Sequence, residues 1–294
     1  MIVSKPMVTQ TVERRNTRLP LVTIEPLHGW APLGLYELWN CRELIYFFVW
    51  RDVKIRYKQT ILGAAWAVLQ PLLTMVVFSV IFGHLAGLPS DGVPYPIFTY
   101  TALLPWQLFA YALSQTAISL VSHQQLLKKV YFPRLVIPFS AVLCWVVDFS
   151  IGFLVLLVLM FYYGIVPTLA IVMVPLFVLL AMAAALAVGL WLATLNVQYR
   201  DVRYAIPFLI QFWLFITPVA YSSSLILDRT PGYVHLLYGL NPMTGVVEGF
   251  RWALLGKSGD VGPLIFVSGL VVVGLLLSGL IYFRRMEGTF SDVV

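Results

Sequence analysis

The stretch Phe48–Pro71, FVWRDVKIRYKQTILGAAWAVLQP, sets the reading of the chain. Its first half packs Arg51, Asp52, Lys54, Arg56 and Lys58 into eight positions, whereas charged residues are only 11% of the 294-residue chain. Its second half carries no charge at all and continues apolar to about residue 83. A basic helix that runs into an uncharged segment long enough to cross a bilayer marks entry into a membrane from a surface-lying element.

Composition agrees. The chain is 60% hydrophobic with a mean hydropathy of +0.88, against about 45–50% apolar and about 25% charged in soluble domains. A soluble core of this size could not hide so much apolar surface, so the expected class is an all-α integral membrane protein. A spanning helix needs about 20 mostly apolar residues. Six segments qualify: about 60–83, 97–121, 135–162, 169–195, 204–221 and 262–283. Residues 222–261 are apolar but broken by Pro231, Gly232, Asn241-Pro242 and Gly256, which predicts short re-entrant helices packed against protein. The remaining parts are an N-terminal tail (1–35), an amphipathic surface helix (36–59) and a short C-terminal tail (285–294).

Lys and Arg alternate across these breaks. Nine precede the first span, then the loops carry none, three, none and two; segment 222–261 holds three and the tail two. Under the positive-inside rule both termini are cytoplasmic and 222–261 lies outside. The net charge of +6 therefore reports orientation and not nucleic acid. The first forty residues hold Arg14, Arg15, Arg18 and four prolines without an apolar core, which is not a cleavable signal. Cys41 and Cys144 lie in different kinds of segment and indicate no disulfide framework.

In the opening stretch, Trp50, Val53, Tyr57 and Ile61 share one helical face, and Arg51, Lys54 and Lys58 form a basic face beside it. A plain membrane anchor needs fewer cations and no Asp52, so the helix is expected to dock a cytoplasmic partner as well as lie at the headgroups.

The same stretch resembles the N-terminal signature of the polysaccharide-export permeases of ABC transporters, the membrane subunits that export O-antigen, capsule or teichoic acid. LLPWQLFAYAL (103–113), LLKKVYFPRLVIPFS (126–140), NVQYRDVRYAIPFLIQFWLFITPVAYS (196–222) and LNPMTGVVEGFRWALLG (240–256) resemble later parts of that family in the same order. The resemblance implies six spans per subunit, a homodimer and a channel for an undecaprenyl-linked polysaccharide. It also implies a separate nucleotide-binding ATPase subunit that holds ATP and Mg, in the bacterial inner membrane, with no cofactor in this chain. Arg51, Asp52, Lys54, Arg56 and Lys58, with Arg200, Asp201 and Arg203, are then expected at the ATPase interface. Lys128, Lys129 and Arg134, set around Tyr131 and Phe132, are expected where the glycolipid enters.

Sugars bind through hydrogen bonds and through stacking of their C–H faces on aromatic rings, so a glycan path should be aromatic with a few amides. Trp66, Gln70 and Thr74 recur on one face of the first span, and Phe208, Gln211, Phe212 and Phe215 on one face of the fifth. Both sets are expected to line the channel, with Pro71 and Pro207 kinking the helices beside them. Asn241, Pro242, Glu248 and Arg251 are expected to close the external mouth. Asp148, a lone acid in the third span with no cation visible in the membrane, is expected to be a hydrogen-bonded structural carboxyl.

Enzymatic chemistry finds little support. GKS at 256–258 looks like the end of a phosphate-binding loop, but Arg251 stands where that loop needs its first glycine. His28, His84, His123 and His235 fall in four separate segments without metal-ligand spacing. The alternatives left are an ABC permease for drugs or lipids, a partner-free secondary transporter, for which Asp148 would be essential, and a membrane-embedded transferase, which lacks acid–base pairs.

Overall fold

A computed structural model describes residues 35–58, 63–130, 132–199, 201–227, 232–256, 262–288 and Phe290. Helices α1 (Leu35–Asn40) and α2 (Arg42–Lys58) precede α3 (Gly63–Phe78), which runs into a π-helical stretch, Ser79–Leu85. The long α4 (Tyr95–Ser122) is followed by the short α5 (Gln124–Lys129), then by α6 (Val136–Leu143) and α7 (Trp145–Tyr162), which are nearly continuous. A 3-10 turn, Leu169–Met173, leads into α8 (Val174–Gln198), and α9 (Val202–Ile216) follows. The last part comprises α10 (Ser224–Leu227), α11 (Gly232–Gly239), α12 (Pro242–Leu255) and α13 (Gly262–Glu287). No strand occurs among the described residues.

Among the described residues, four helical stretches are long and apolar enough to cross a membrane: Ala65–Leu85, Val136–Tyr162, Leu169–Gln198 and Gly262–Glu287. They coincide with four of the six predicted spans. The predicted span at 97–121 falls on α4, which is long and uncharged but too polar to stand among the four. The reason is its position. α4 is the central helix, packed on α3, α6, α7, α8, α9 and α12, so its surface meets protein and tolerates Thr99, Thr101, Thr116 and Ser119, all buried. The predicted span at 204–221 is helical only to Ile216. Thr217 precedes Pro218 and is forced into the extended region, at φ −86° and ψ 140°, which ends the helix.

α4 and α8 approach closely because α8 offers small residues. Ala181, Ala184, Ala185, Gly189 and Ala193 are buried there, and a Cβ on Gly189 would lie 2.5 Å from the Thr116 side chain. Small residues drive helix association where lipid supplies no hydrophobic force. Asn196 adds a buried hydrogen bond, its amide donating to Ala117 O at 3.0 Å. Gly279 in turn seats α13 against the Ala187 carbonyl of α8.

Two further groups of ties join loops and helix ends. At one end Arg134, after α5, donates to the Glu287 carbonyl, and Arg284 pairs with Glu287 at 2.9 Å and with Glu37 of α1 at 2.7 Å. At the other, Asp91 of the first loop accepts from Ser222 at 2.5 Å and Ser224 at 3.1 Å, and Thr168 donates to Ala253 O at 2.7 Å. The segment after α5 thus meets the end of α13, and the loops before α4 and α8 meet the segments after α9.

Candidate functional site

The Trp50–Val53–Tyr57 stripe of α2, expected at the headgroups, is divided, with Val53 and Tyr57 half-buried. Trp50 is exposed, with Trp39, Tyr46, Phe47 and Ile55. The buried anchor is Phe48, whose ring meets Phe132 at 5.9 Å and His123 at 6.4 Å. The charges divide accordingly. Lys54 and Lys58 face outward, Lys54 over the Trp50 ring at 4.2 Å. Arg51 is turned to the protein, bound to Asp52 at 2.7 Å and to His123 Nε2 at 2.7 Å. Ile61 lies outside the described residues.

Arg56 also points inward, and it corrects the expectation for Asp148. That carboxylate has a cationic partner: Arg56 pairs with one oxygen and the Tyr57 hydroxyl donates to the other. Both partners come from α2, outside the apolar spans. Burial and the Asp148 carboxylate push the Tyr57 phenol well above its ordinary pKa, so it remains a donor. The Arg56 guanidinium lies 3.6 Å from the centre of the Trp145 ring, and Tyr111 stacks on the same ring at 4.7 Å.

These residues border a cavity of about 430 Å³ between α2, α3, α4 and α7. Its walls are Arg56, Trp66, Gln70, Gln107, Tyr111, Trp145 and Asp148, closed by apolar neighbours. Trp66 and Gln70 meet here as the spacing predicted, Gln70 donating to the Tyr111 hydroxyl. Thr74 does not join them, because its hydroxyl donates to its own helix at Gln70 O, 2.9 Å away. The contributions of α4 and α7 were not foreseen, since no spacing in the sequence links them to the first span.

Phe208, Gln211, Phe212 and Phe215 lie on the exposed face of α9, with Phe208 and Phe212 stacked at 6.1 Å. The opposite face, through the buried Ile206, packs on α4 and α8. Within this chain the two aromatic stripes therefore do not border one cavity. Asp201 and Arg203 are exposed, Arg203 donating to the Tyr204 hydroxyl at 3.1 Å; Arg200 and Tyr131 lie outside the described residues. Lys128 and Lys129 are exposed. Arg134 and Phe132 are half-buried, tied to Glu287 and Phe48 respectively. Arg134 is thus part of the fold as well as of a basic surface.

Glu248 and Arg251 form the most buried ion pair, 3% and 1% exposed, at 2.9 Å. Arg251 also donates to Val219 O at 2.9 Å and Tyr221 O at 3.3 Å, and lies over the Phe98 ring at 3.7 Å. It therefore clamps the turn after α9 onto α12. Asn241 caps α12 by accepting from Met243 N at 3.1 Å, followed by Pro242 at the first helical position. The same Asn241 accepts from Trp213 at 2.9 Å and donates to Thr217 at 3.0 Å, which joins the end of α9 to the start of α12. Gly256 ends α12 at φ +66°, the left-handed position that favours glycine.

The four helical stretches long and apolar enough to cross a membrane, packed around or beside the uncharged α4, define a multi-pass helical membrane protein. The model of the ABC-2 type transporter family matches residues 43–255, and the chain belongs to that family. It is 32% identical over 253 residues to an O-antigen export system permease protein of Myxococcus xanthus, covering 85% of this chain and 95% of that one. Two O-antigen export system permease proteins of Klebsiella pneumoniae are 29% and 26% identical over 262 residues, each covering 88% of this chain and 98% of the relative.

Proposed function

We propose that the chain is the membrane-spanning permease subunit of an ATP-driven exporter that carries a lipid-linked cell-surface polysaccharide of the O-antigen type across the inner membrane. The observation that carries this reading is the 32% identity to an O-antigen export permease over 95% of that protein's length. The substrate is an undecaprenyl-linked glycan; its lipid stays in the bilayer while the sugars thread the channel. ATP and Mg belong to a separate nucleotide-binding subunit, and this chain is not an enzyme.

In this reading α4 and α9 complete a set of six membrane-crossing elements, and both termini are cytoplasmic. α1 and α2 lie at the cytoplasmic surface with Trp39, Tyr46, Phe47 and Trp50 at headgroup depth. Lys54, Lys58, Asp201 and Arg203 face the ATPase, and Lys128 and Lys129 attract the anionic headgroup of the glycolipid. The chain works as a homodimer. A second copy would cover the exposed Phe208–Phe215 face of α9 and bring it opposite α3, so that the channel forms between protomers. α10–α12 form the external re-entrant segment, braced by Glu248 and Arg251.

The test is co-purification from native membranes with an ATPase assay of the eluate. A stoichiometric nucleotide-binding subunit, lost in the Lys54→Glu/Lys58→Glu variant, supports the exporter and its docking helix. A lone permease without ATPase activity refutes them and favours a partner-free transporter.

A further inference from the structure

His123 ends α4 with two hydrogen bonds of opposite kind. Its Nδ1 lies 2.9 Å from Ser119 O, and its Nε2 lies 2.7 Å from the Arg51 guanidinium of α2. A carbonyl oxygen only accepts and a guanidinium only donates. Nδ1 therefore carries the hydrogen and Nε2 offers a lone pair, so the ring is neutral. Arg51 is held ready for it. Asp52 binds the guanidinium at 2.7 Å, and the guanidinium lies over the Phe48 ring at 4.8 Å. The same Phe48 ring meets His123 at 6.4 Å.

A proton at Nε2 removes the lone pair and sets an imidazolium against the guanidinium. The bond to Arg51 is then lost, and Asp52 offsets only part of the repulsion. The bond to Ser119 O survives, because Nδ1 still donates. The charged groups on the surrounding elements do not make up the loss. On α2, Arg56 is bound to Asp148, and Arg42, Glu43, Lys54 and Lys58 are exposed. α4 and α6 carry no charged residue. Lys128 and Lys129 of α5, and Asp201 and Arg203 at the start of α9, are exposed, and Arg134 is bound to Glu287. Histidine is the side chain that ordinarily changes charge between about pH 5 and 8.

We propose that His123 is a pH-sensitive catch on α2. The neutral ring holds the middle of the helix against the end of α4, and the protonated ring releases it. Arg56 and Tyr57 keep the C-terminal end of α2 at Asp148 in both states, since no histidine takes part in those bonds. The sign follows from the ring's role as acceptor: the hold is present above the range in which histidine titrates and is lost as pH falls through it. The catch does not depend on what α2 docks. Where α2 seats the ATPase, as the exporter reading has it, acid loosens that seat.

Amide hydrogen exchange read by mass spectrometry tests the catch on the purified full-length chain in phosphatidylcholine nanodiscs. It is run at about pH 8 and about pH 5.5, on either side of most of the histidine range, and corrected for the intrinsic pH dependence of exchange. Peptides covering residues 44–54 should lose about tenfold in protection at the lower pH, the worth of one hydrogen bond to a charged group, while α3 keeps its own. His123→Gln retains an acceptor for Arg51 but takes up no proton, so its α2 should stay protected at both values. Arg51→Met lacks the catch at either pH, so its α2 should be equally unprotected at both, which decides the matter if His123→Gln does not fold. Equal protection of wild-type α2 at the two pH values, or an acid loss in either variant as large as in wild type, overturns the proposal. Acid release in a chain that recruits no ATPase upholds the catch while removing the exporter, and ATPase recruitment by a chain without acid release removes the catch alone.

Discussion

Arg251→Met is expected to be among the most damaging single substitutions. The guanidinium is 1% exposed and serves three acceptors: Glu248 at 2.9 Å, Val219 O at 2.9 Å and Tyr221 O at 3.3 Å. Its removal leaves the Glu248 carboxylate buried without its cation, which costs about 3–5 kcal/mol. Two carbonyls of the turn after α9 lose their donor as well, so the upper part of that range is expected, near 5 kcal/mol. Glu248→Gln is milder, at the lower end of the same range, about 3 kcal/mol, because the uncompensated guanidinium keeps the amide oxygen and both carbonyls as acceptors. The double variant Glu248→Leu/Arg251→Met removes both charges. It should recover most of the loss, leaving about 1–3 kcal/mol for the two carbonyls. The assay is thermal unfolding in one detergent, followed by tryptophan fluorescence, with limited proteolysis of the turn at 217–223 as a local probe. Arg251→Met should lower the midpoint by roughly ten degrees or more and expose the turn first. An Arg251→Met variant no less stable than Glu248→Gln, or a double variant as unstable as Arg251→Met, refutes the clamp.

Gly249→Ala places a Cβ 2.3 Å from the buried Phe177 ring and should destabilise by about 1–3 kcal/mol. Gly274→Ala on α13 meets nothing within 4 Å and should stabilise by up to about 1 kcal/mol; the same unfolding assay reads both, and equal effects would refute the packing argument. Arg56→Met should cost about 1–3 kcal/mol, less than the Arg251 variant because Arg56 is 28% exposed, and Arg56→Met/Asp148→Asn should recover part of it. A double variant worse than Arg56→Met in the same assay would show that the pair is not the coupling. Pro207→Ala, which removes the proline inside α9, should lower export in a surface-glycan blot; normal export would mean that the break in the ladder has no role in transport.

The spans that face outward were legible because hydropathy alone marks them, and the stretches at 60–83, 135–162, 169–195 and 262–283 coincide with the four apolar helices. α4 was legible as a helix, but its polar residues answer to protein neighbours that spacing does not reveal. The reading of 204–221 ran too far because the continuous apolar pattern hides the stop set by Pro218. In the cavity, Trp66 and Gln70 were found by their shared helical face, whereas Gln107, Tyr111 and Trp145 lie on α4 and α7 and were not linked to them. Asp148 was read without a cation because Arg56 stands 92 positions earlier, in a helix outside the spans. The one available signal was its company: a stretch with four cations and only Asp52 as an acid has charge to give away.

That pairing implies an order of assembly. The stretch Val136–Tyr162 must enter the bilayer with an acid in the first turn of α7, a burden of up to about 2.5–3.5 kcal/mol if it passes the membrane centre unpaired. The ribosome has already delivered Arg56 and Tyr57 by then, so their helix can wait at the surface and receive the carboxylate as the span arrives. A chain without α2 would present the stretch Val136–Tyr162 to the bilayer with its carboxylate lacking the Arg56 and Tyr57 partners.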